Sequence, residues 1–177
     1  MRFIPENTKV LILQGRLKGK KWIKGSGVNG YWLGTYELEK QKMFEKNIKR
    51  GDVVFDIGAN VGIYSLLAAE VAGDSGKVFS FEPFPENFRY LNRHIKMNNY
   101  GNIFPYQIAV SDKNGFVFFG GLTNSSNGHI SETGEIKVET ISLDEWIESN
   151  KLPAPNVLKI DVEGAEVSVL KGAQNAL

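Results

Sequence analysis

Seven polar residues of this chain stand where an apolar run gives way to a turn: Asp56, Asn60, Glu82, Ser111, Asp112, Asp161 and Glu163. Side chains of these types accept hydrogen bonds from hydroxyl and amino groups, and a carboxylate among them can take the proton of a reacting hydroxyl. Glu82 lies 20 residues beyond Gly62, about the separation at which an acid past a glycine turn accepts two hydrogen bonds from ribose hydroxyls. The turn Gly58-Ala59-Asn60-Val61-Gly62 follows the apolar run Val53 to Ile57, interrupted by Asp56, and precedes a helical stretch from Ile63 to Ala69. Gly58 and Gly62 allow the backbone to turn tightly and to approach a bound molecule. A dinucleotide fingerprint needs glycine where Asn60 stands, so NAD is the weaker reading, and without a G-x-x-x-x-G-K-[ST] loop a nucleoside triphosphate has no cradle.

Asp161, at the end of an apolar strand, ranks first as a general base, with Glu163 beside it. Glu166 opens a helix, where an acid is favoured by the helix dipole without any chemical role. The same acids are where a hard divalent cation would be sought, although a metal is not the favoured reading. His129, in a long polar loop, is a further acid–base candidate, because loops on a rigid scaffold often carry function. His94 stands beside Arg93 on a helix flank and is expected to be solvated. Asp56 has a second reading as a carboxylate that holds the turn by accepting backbone N–H bonds.

The elements that must position these groups alternate. Lys9 to Gln14 and Lys20 to Lys24 read as a glycine-bounded hairpin, Gly25 to Gly34 as loop, and Glu37 to Lys49 as a helix. Strands follow at Val53–Ile57, Lys77–Glu82 and Ile103–Val110, with a helix opened by Pro83-Phe84-Pro85 in which Phe88, Leu91 and Ile95 recur at helical spacing. Gly115–Gly120 and Lys137–Ile141 read as further strands around a polar loop, Gly121 to Gly134. Ser142-Leu143-Asp144-Glu145 has capping-box spacing before a short helix, and a fourth core strand, Asn156–Ile160, precedes the last helix. Strand–helix alternation implies an α/β fold built from parallel βαβ units, with ligands outside the carboxyl ends of the strands. Residues 1–50 form an N-terminal hairpin and helix packed on the core, and residues 51–177 form the cofactor-binding domain.

Composition narrows the partners. A net charge of +1 over 177 residues provides no overall field toward nucleic acid or an anionic membrane. Arg16, Lys18, Lys20, Lys21 and Lys24 around Trp22 are read as the solvent face of an edge hairpin, not a nucleic-acid strip. The absence of cysteine excludes disulfides and thiolate chemistry and fits a reducing compartment. With no run approaching the ~18 apolar residues of a membrane span, the expectation is a cytoplasmic protein without nucleic-acid or membrane partners.

Four motifs in order, Asp56-Ile57-Gly58-Ala59-Asn60-Val61-Gly62, Phe81-Glu82-Pro83, Ala109-Val110-Ser111-Asp112 and Lys159-Ile160-Asp161-Val162-Glu163-Gly164-Ala165-Glu166, resemble the FkbM-like S-adenosylmethionine-dependent methyltransferases. The resemblance implies a Rossmann-like class I methyltransferase sheet. In it Gly58 and Gly62 border the methionine and ribose parts of the cofactor, Glu82 holds the ribose, and Ser111 and Asp112 flank the adenine. Gly34-Thr35-Tyr36-Glu37 resembles a family stretch in which Tyr36 or Glu37 covers the methionine end. The alternative for these two is a packed aromatic and a helix N-terminal acid. S-adenosylmethionine offers a sulfonium, an amino acid and a neutral nucleoside, which call for acceptors and carboxylates and not for phosphate-binding cations, as the polar set provides. The family's usual acceptor is a hydroxyl oxygen, here of a sugar, glycan or small metabolite. The implied sheet has seven strands in the order 3-2-1-4-5-7-6, and four are read here. The chain is therefore expected to be a truncated member with strand four as an open edge, available for homo-oligomer pairing. An NAD-dependent oxidoreductase and an inactive cofactor-binding remnant are the alternatives.

Overall fold

The structure, a computed structural model, describes residues 4–120, 129–130 and 136–177. Four parallel strands, β3 (Val53–Ile57), β4 (Lys77–Phe81), β5 (Ile103–Tyr106) and β10 (Val157–Ile160), form a sheet in the order β10-β3-β4-β5. This is the expected 3-2-1-4 arrangement, and among the described residues β10 keeps one edge unpaired. Alternation along β3 and β4 sends Val54 and Val78 to one face and Phe55, Ile57, Phe79 and Phe81 to the other, and both faces are buried. A parallel sheet covered on both sides needs such nearly continuous apolar strands.

The first face is covered by α3 (Ile63–Ala72) and α4 (Pro85–Met97). Helix α3 is buried all round, whereas α4 buries the stripe Leu91 and Ile95. The antiparallel hairpin of β1 (Lys9–Leu11) and β2 (Lys21–Ile23) joins this face, since Ile12, Leu17, Trp22 and Ile23 share a buried cluster with Leu66, Leu67 and Leu91. The two preceding helices, α1 (Gly30–Leu33) and α2 (Leu38–Lys46), complete it. Helix α1 lies within the segment expected to be loop. The expected helix to Lys49 ends at Lys46, where the Asn47 amide donates to the Met43 carbonyl at 2.8 Å.

The second face carries an element that strand-by-strand periodicity did not foresee. The run Ile103–Val110 is not one strand: β5 ends at Tyr106, and β6 (Ala109–Ser111) belongs to another sheet. That sheet, with β7 (Gly115–Gly120), β8 (His129–Ile130) and β9 (Ile136–Ser142), has the order β6-β9-β7-β8. The apolar pattern continues across the break because Ile103 is buried in the first core and Ile108 and Val110 in the second. Helices α5 (Leu143–Ser149) and α6 (Glu166–Lys171) close this side. Ser142 is the N-cap of α5 but makes no capping bond, contrary to the expected capping box. Its hydroxyl donates to Gly172 O at 3.1 Å, tying α5 to the end of α6.

Candidate functional site

The turn after β3 is pinned to the next strand, with Gly58 N and Ala59 N both donating to Phe81 O at 3.0 Å. Gly58 has φ +76°, and a Cβ there would lie 2.0 Å from Asp161 O, so only glycine lets β10's exit pass this close. Asn60, at φ +51°, is in the left-handed region that asparagine tolerates, with its Oδ1 accepting from Val61 N at 2.7 Å. Its own N–H donates to Glu82 Oε2 at 2.7 Å. Phe84 N donates to Glu82 Oε1 at 2.9 Å, and the Asn87 amide lies 3.5 Å from the same oxygen. Glu82 is 4% exposed, and burial pushes its carboxyl up to about 7 against the opposing pull of the two backbone N–H groups. The two backbone N–H groups take two of the four lone-pair sites of a carboxylate and the Asn87 amide is at the limit of hydrogen-bonding distance, which leaves room for hydroxyls from the cleft.

That cleft, about 300 Å³, opens at the carboxyl ends of the strands. Of the residues singled out from sequence, Gly58, Asn60, Glu82, Ser111, Asp161 and Glu163 line it together. The second sheet supplies a wall with Val117 and Thr140, and no lysine or arginine lines the cleft among the described residues. Asp161, whose side chain is 62% exposed, and Glu163, in the left-handed region at φ +50°, stand at its margin. Glu166 does not line it. Its carboxylate accepts from Gly164 N at 3.0 Å and so shapes the loop that carries Asp161 and Glu163.

Several expected cofactor residues lie outside the cleft. Asp56 is fully buried, its Oδ2 accepts from Ser65 Oγ at 2.6 Å, and its Oδ1 lies 3.0 Å from Lys159 Nζ. Its place is beneath the turn, with a hydroxyl and an ammonium as partners in place of backbone N–H groups. Gly62 caps α3 at φ +100°, and a Cβ there would meet Leu91 Cδ1 at 2.6 Å, so this glycine serves helix packing. Asp112 is exposed and receives the Ser111 hydroxyl at 3.2 Å. Glu37 sits at the N-cap of α2, bonded to Lys40 and, at 3.1 Å, to the Tyr64 hydroxyl. The Lys40 ammonium, followed by the Tyr64 and Tyr36 hydroxyls, holds its carboxyl below the usual range. Tyr36 packs edge-on against Tyr31 at 4.5 Å. His129 lies on β8 opposite Gly120, and its side chain falls outside the described residues.

Two polar residues that sequence reasoning misjudged or passed over are central here. His94 is not solvated but 0% exposed. It stacks on Trp22 at 3.7 Å, accepts from Ile23 N at Nε2 (3.1 Å), and places Nδ1 2.8 Å from Val61 O. This pairing assigns the proton to Nδ1, and burial pushes the imidazole down to about 4, so it stays neutral. Lys159 reaches Asp56 and donates to Gly58 O at 3.0 Å. Its signal was the two-residue spacing to Asp161, which continues the ladder just past the end of β10 through a bond from its N–H to Ile57 O and so shares the face of Lys159.

A parallel sheet of this order, a glycine turn after its first strand, an acid closing the second and a cleft over the strand ends define a Rossmann-like methyltransferase fold. A solved FkbM methyltransferase from Methylobacillus flagellatus shares it, with a TM-score of 0.51 and 17% identity over 85% of this chain and 42% of that one. The methyltransferase FkbM domain matches residues 56–177, and the chain belongs to that family. It is similar to the hexuronic acid methyltransferase AglP of Haloferax volcanii, 35% identical over 80% of this chain and 58% of the relative. It is also similar to the 31-O-demethyl-FK506 methyltransferase FkbM of Streptomyces tacrolimicus, 29% identical over 73% of this chain and 62% of the relative. The chain thus spans about three-fifths of the length of these curated relatives. Among the described residues no helix is long and apolar enough to cross a membrane, and no three His, Asp or Glu side chains are grouped to hold a metal.

Proposed function

We propose that the cleft binds S-adenosylmethionine and that the protein transfers its methyl group to a hydroxyl oxygen of a sugar or other small, hydroxyl-bearing acceptor. The observation that carries this reading is Glu82, a buried carboxyl turned into the cleft beside the glycine turn, with acceptor capacity to spare. Such a group recognises a diol, and a lining without lysine or arginine suits a cofactor that has no pyrophosphate. Bound there, the cofactor supplies an activated methyl on sulfur. Glu82, held in place by the Asn60 N–H, binds the ribose end, Ser111 borders the base, and the Gly58 turn admits close approach. Glu37, which accepts from the Tyr64 hydroxyl, and Tyr36 next to it are candidates to cover the methionine end.

In the transfer, a carbon–sulfur bond breaks as a carbon–oxygen bond forms, and the acceptor hydroxyl releases its proton. Asp161, exposed at the margin of the cleft, receives that proton and passes it to water, with Glu163 alongside. Positioning of acceptor against methyl supplies much of the acceleration in such a displacement. The hexuronic acid named for the Haloferax relative supports a sugar as acceptor class. Calorimetric titration with S-adenosylhomocysteine and, separately, with NAD tests the cofactor. Binding of NAD alone overturns the reading in favour of an oxidoreductase. Mass detection of a 14-dalton gain, the replacement of H by CH3, on neutral and uronic methyl glycosides then tests the acceptor.

A further inference from the structure

We propose that Lys159 is a positioning residue of the cofactor cleft, fixing the gap between the Gly58 turn and the Asp161–Gly164 loop. The inference rests on the S-adenosylmethionine reading of the cleft. In the sheet register Lys159 stands directly opposite Asp56, and Asp161 follows two residues later, just past the strand, with its carboxylate on the Lys159 side. The Lys159 ammonium lies 3.0 Å from Asp56 Oδ1, donates to Gly58 O at 3.0 Å, and lies 3.7 Å from Asp161 Oδ2. Its side chain is 14% exposed and Asp56 is 0% exposed, and Nζ lies 5.2 Å from the centre of the Tyr64 ring.

One cation therefore touches three things at once: a buried anion that anchors it, the carbonyl of the glycine that borders the cleft, and the carboxylate placed to receive the acceptor proton. Asp56 is itself held by Ser65, whose Oγ accepts from Ser80 at 2.9 Å, so the anchor is fixed from α3 and β4. The backbones at Gly58 and Asp161 pass so close that a single carbon added to Gly58 would lie 2.0 Å from Asp161 O. Their spacing is then set by what holds the two backbones together, and Lys159 is the side chain that bridges them. A purely structural ion pair would stabilise the sheet without regard to what the cleft binds, whereas a positioning residue makes ligand affinity depend on the bridge.

Removing Lys159 alone leaves Asp56 charged and buried, and that variant is expected to unfold. The pair is therefore neutralised together, as Asp56→Asn with Lys159→Met and as Asp56→Asn with Lys159→Gln, so that a failure of one to fold leaves the other. Lys159→Arg keeps a cation over Asp56. Each is titrated with S-adenosylhomocysteine at a temperature well below its own unfolding midpoint. The expected result is a Kd weakened about tenfold or more in a folded neutral pair, equivalent to ~1.4 kcal/mol, with Lys159→Arg closer to the wild type. Wild-type affinity in a folded neutral pair overturns the assignment and leaves the cofactor reading intact. Failure of the wild-type protein to bind S-adenosylhomocysteine overturns the cofactor reading itself, and the assignment with it.

Discussion

S-adenosylhomocysteine binding is expected to depend on pH through Glu82. Its carboxyl is raised to about 7 because burial disfavours the charge, yet only the carboxylate can accept from two ribose hydroxyls at full strength. With a midpoint near 7, roughly one chain in eleven carries the charge at pH 6 and about ten in eleven at pH 8. If the charged form alone binds, affinity for S-adenosylhomocysteine rises about tenfold from pH 6 to pH 8, or ~1.4 kcal/mol. Binding at pH 6 then releases about 0.9 of a proton, falling to about 0.1 at pH 8. Calorimetry at pH 6 in buffers of differing ionisation enthalpy counts that proton. Glu82→Gln keeps the shape but turns an NH2 toward the N–H of Asn60 or Phe84, so both affinity and its pH dependence should fall away. Equal affinity at pH 6 and pH 8, or proton uptake on binding, refutes the assignment of Glu82 to the ribose.

The remaining predictions use the same logic elsewhere. Folded-state values of about 7 for Glu82 and about 4 for His94, against 4.5 and 6.5 unperturbed, act in opposite senses. Stability from Glu82 is complete below pH 4.5 and lost as pH rises through 7, while that from His94 is complete above pH 6.5 and lost as pH falls through 4. Each effect is worth about 3 kcal/mol, so denaturant unfolding of the wild type should show the two cancelling between pH 4.5 and 6.5. Over that interval Glu82→Gln should gain stability as pH rises. His94→Ala, which strands Ile23 N–H and Val61 C=O and opens a void against Trp22, should lose about 3 kcal/mol or more at pH 7 in the same assay. Gly58→Ala forces a Cβ to 2.0 Å from Asp161 O and should abolish S-adenosylhomocysteine binding in a titration. Asp161→Asn, which keeps an oxygen facing the Lys159 ammonium and leaves its contacts to Asp56 and Gly58 O in place, should keep most of that binding while lowering turnover of an accepted glycoside by roughly 10²-fold or more, and an unchanged rate would remove Asp161 from the base role.

The parallel sheet was legible because its strands advertise themselves locally. Val53 to Ile57 and Lys77 to Phe81 are short apolar runs closed by turn residues, and Pro85 and the stripe Leu91 and Ile95 identify the helix between β4 and β5. Of the second sheet, β7 and β9 were legible as strands at Gly115–Gly120 and Lys137–Ile141, but its separateness was not, because the run from Ile103 to Val110 keeps its apolar character while the chain changes sheets. Alternation reports that a residue is buried and not which core buries it. The acids of the cleft were found for a related reason: strand ends in an α/β fold converge whatever the register. Asp56 was grouped with them because it too sits near a strand end, although it is one residue too early and on the face turned toward α3.

A single strand does not reveal its partner across the sheet, and the residue passed over, Lys159, and the one misjudged, His94, both depend on partners distant in sequence. Lys159 faces Asp56 only because β10 pairs with β3 in one particular register; moved by one residue, the ammonium would project into the Phe55 layer, where a charge has no counterion. The buried carboxylate therefore selects the register as much as the register buries it. His94 plays the same part for the hairpin. Its two ring nitrogens bond β2 through Ile23 and the turn through Val61, so the element farthest from the cleft in sequence is hydrogen-bonded to the glycine turn that borders it. Loss of His94, or joint neutralisation of Asp56 and Lys159, should then be felt at Asn60 and Glu82, which His94 and Lys159 do not touch, as weakened S-adenosylhomocysteine binding at temperatures where the variant is still folded.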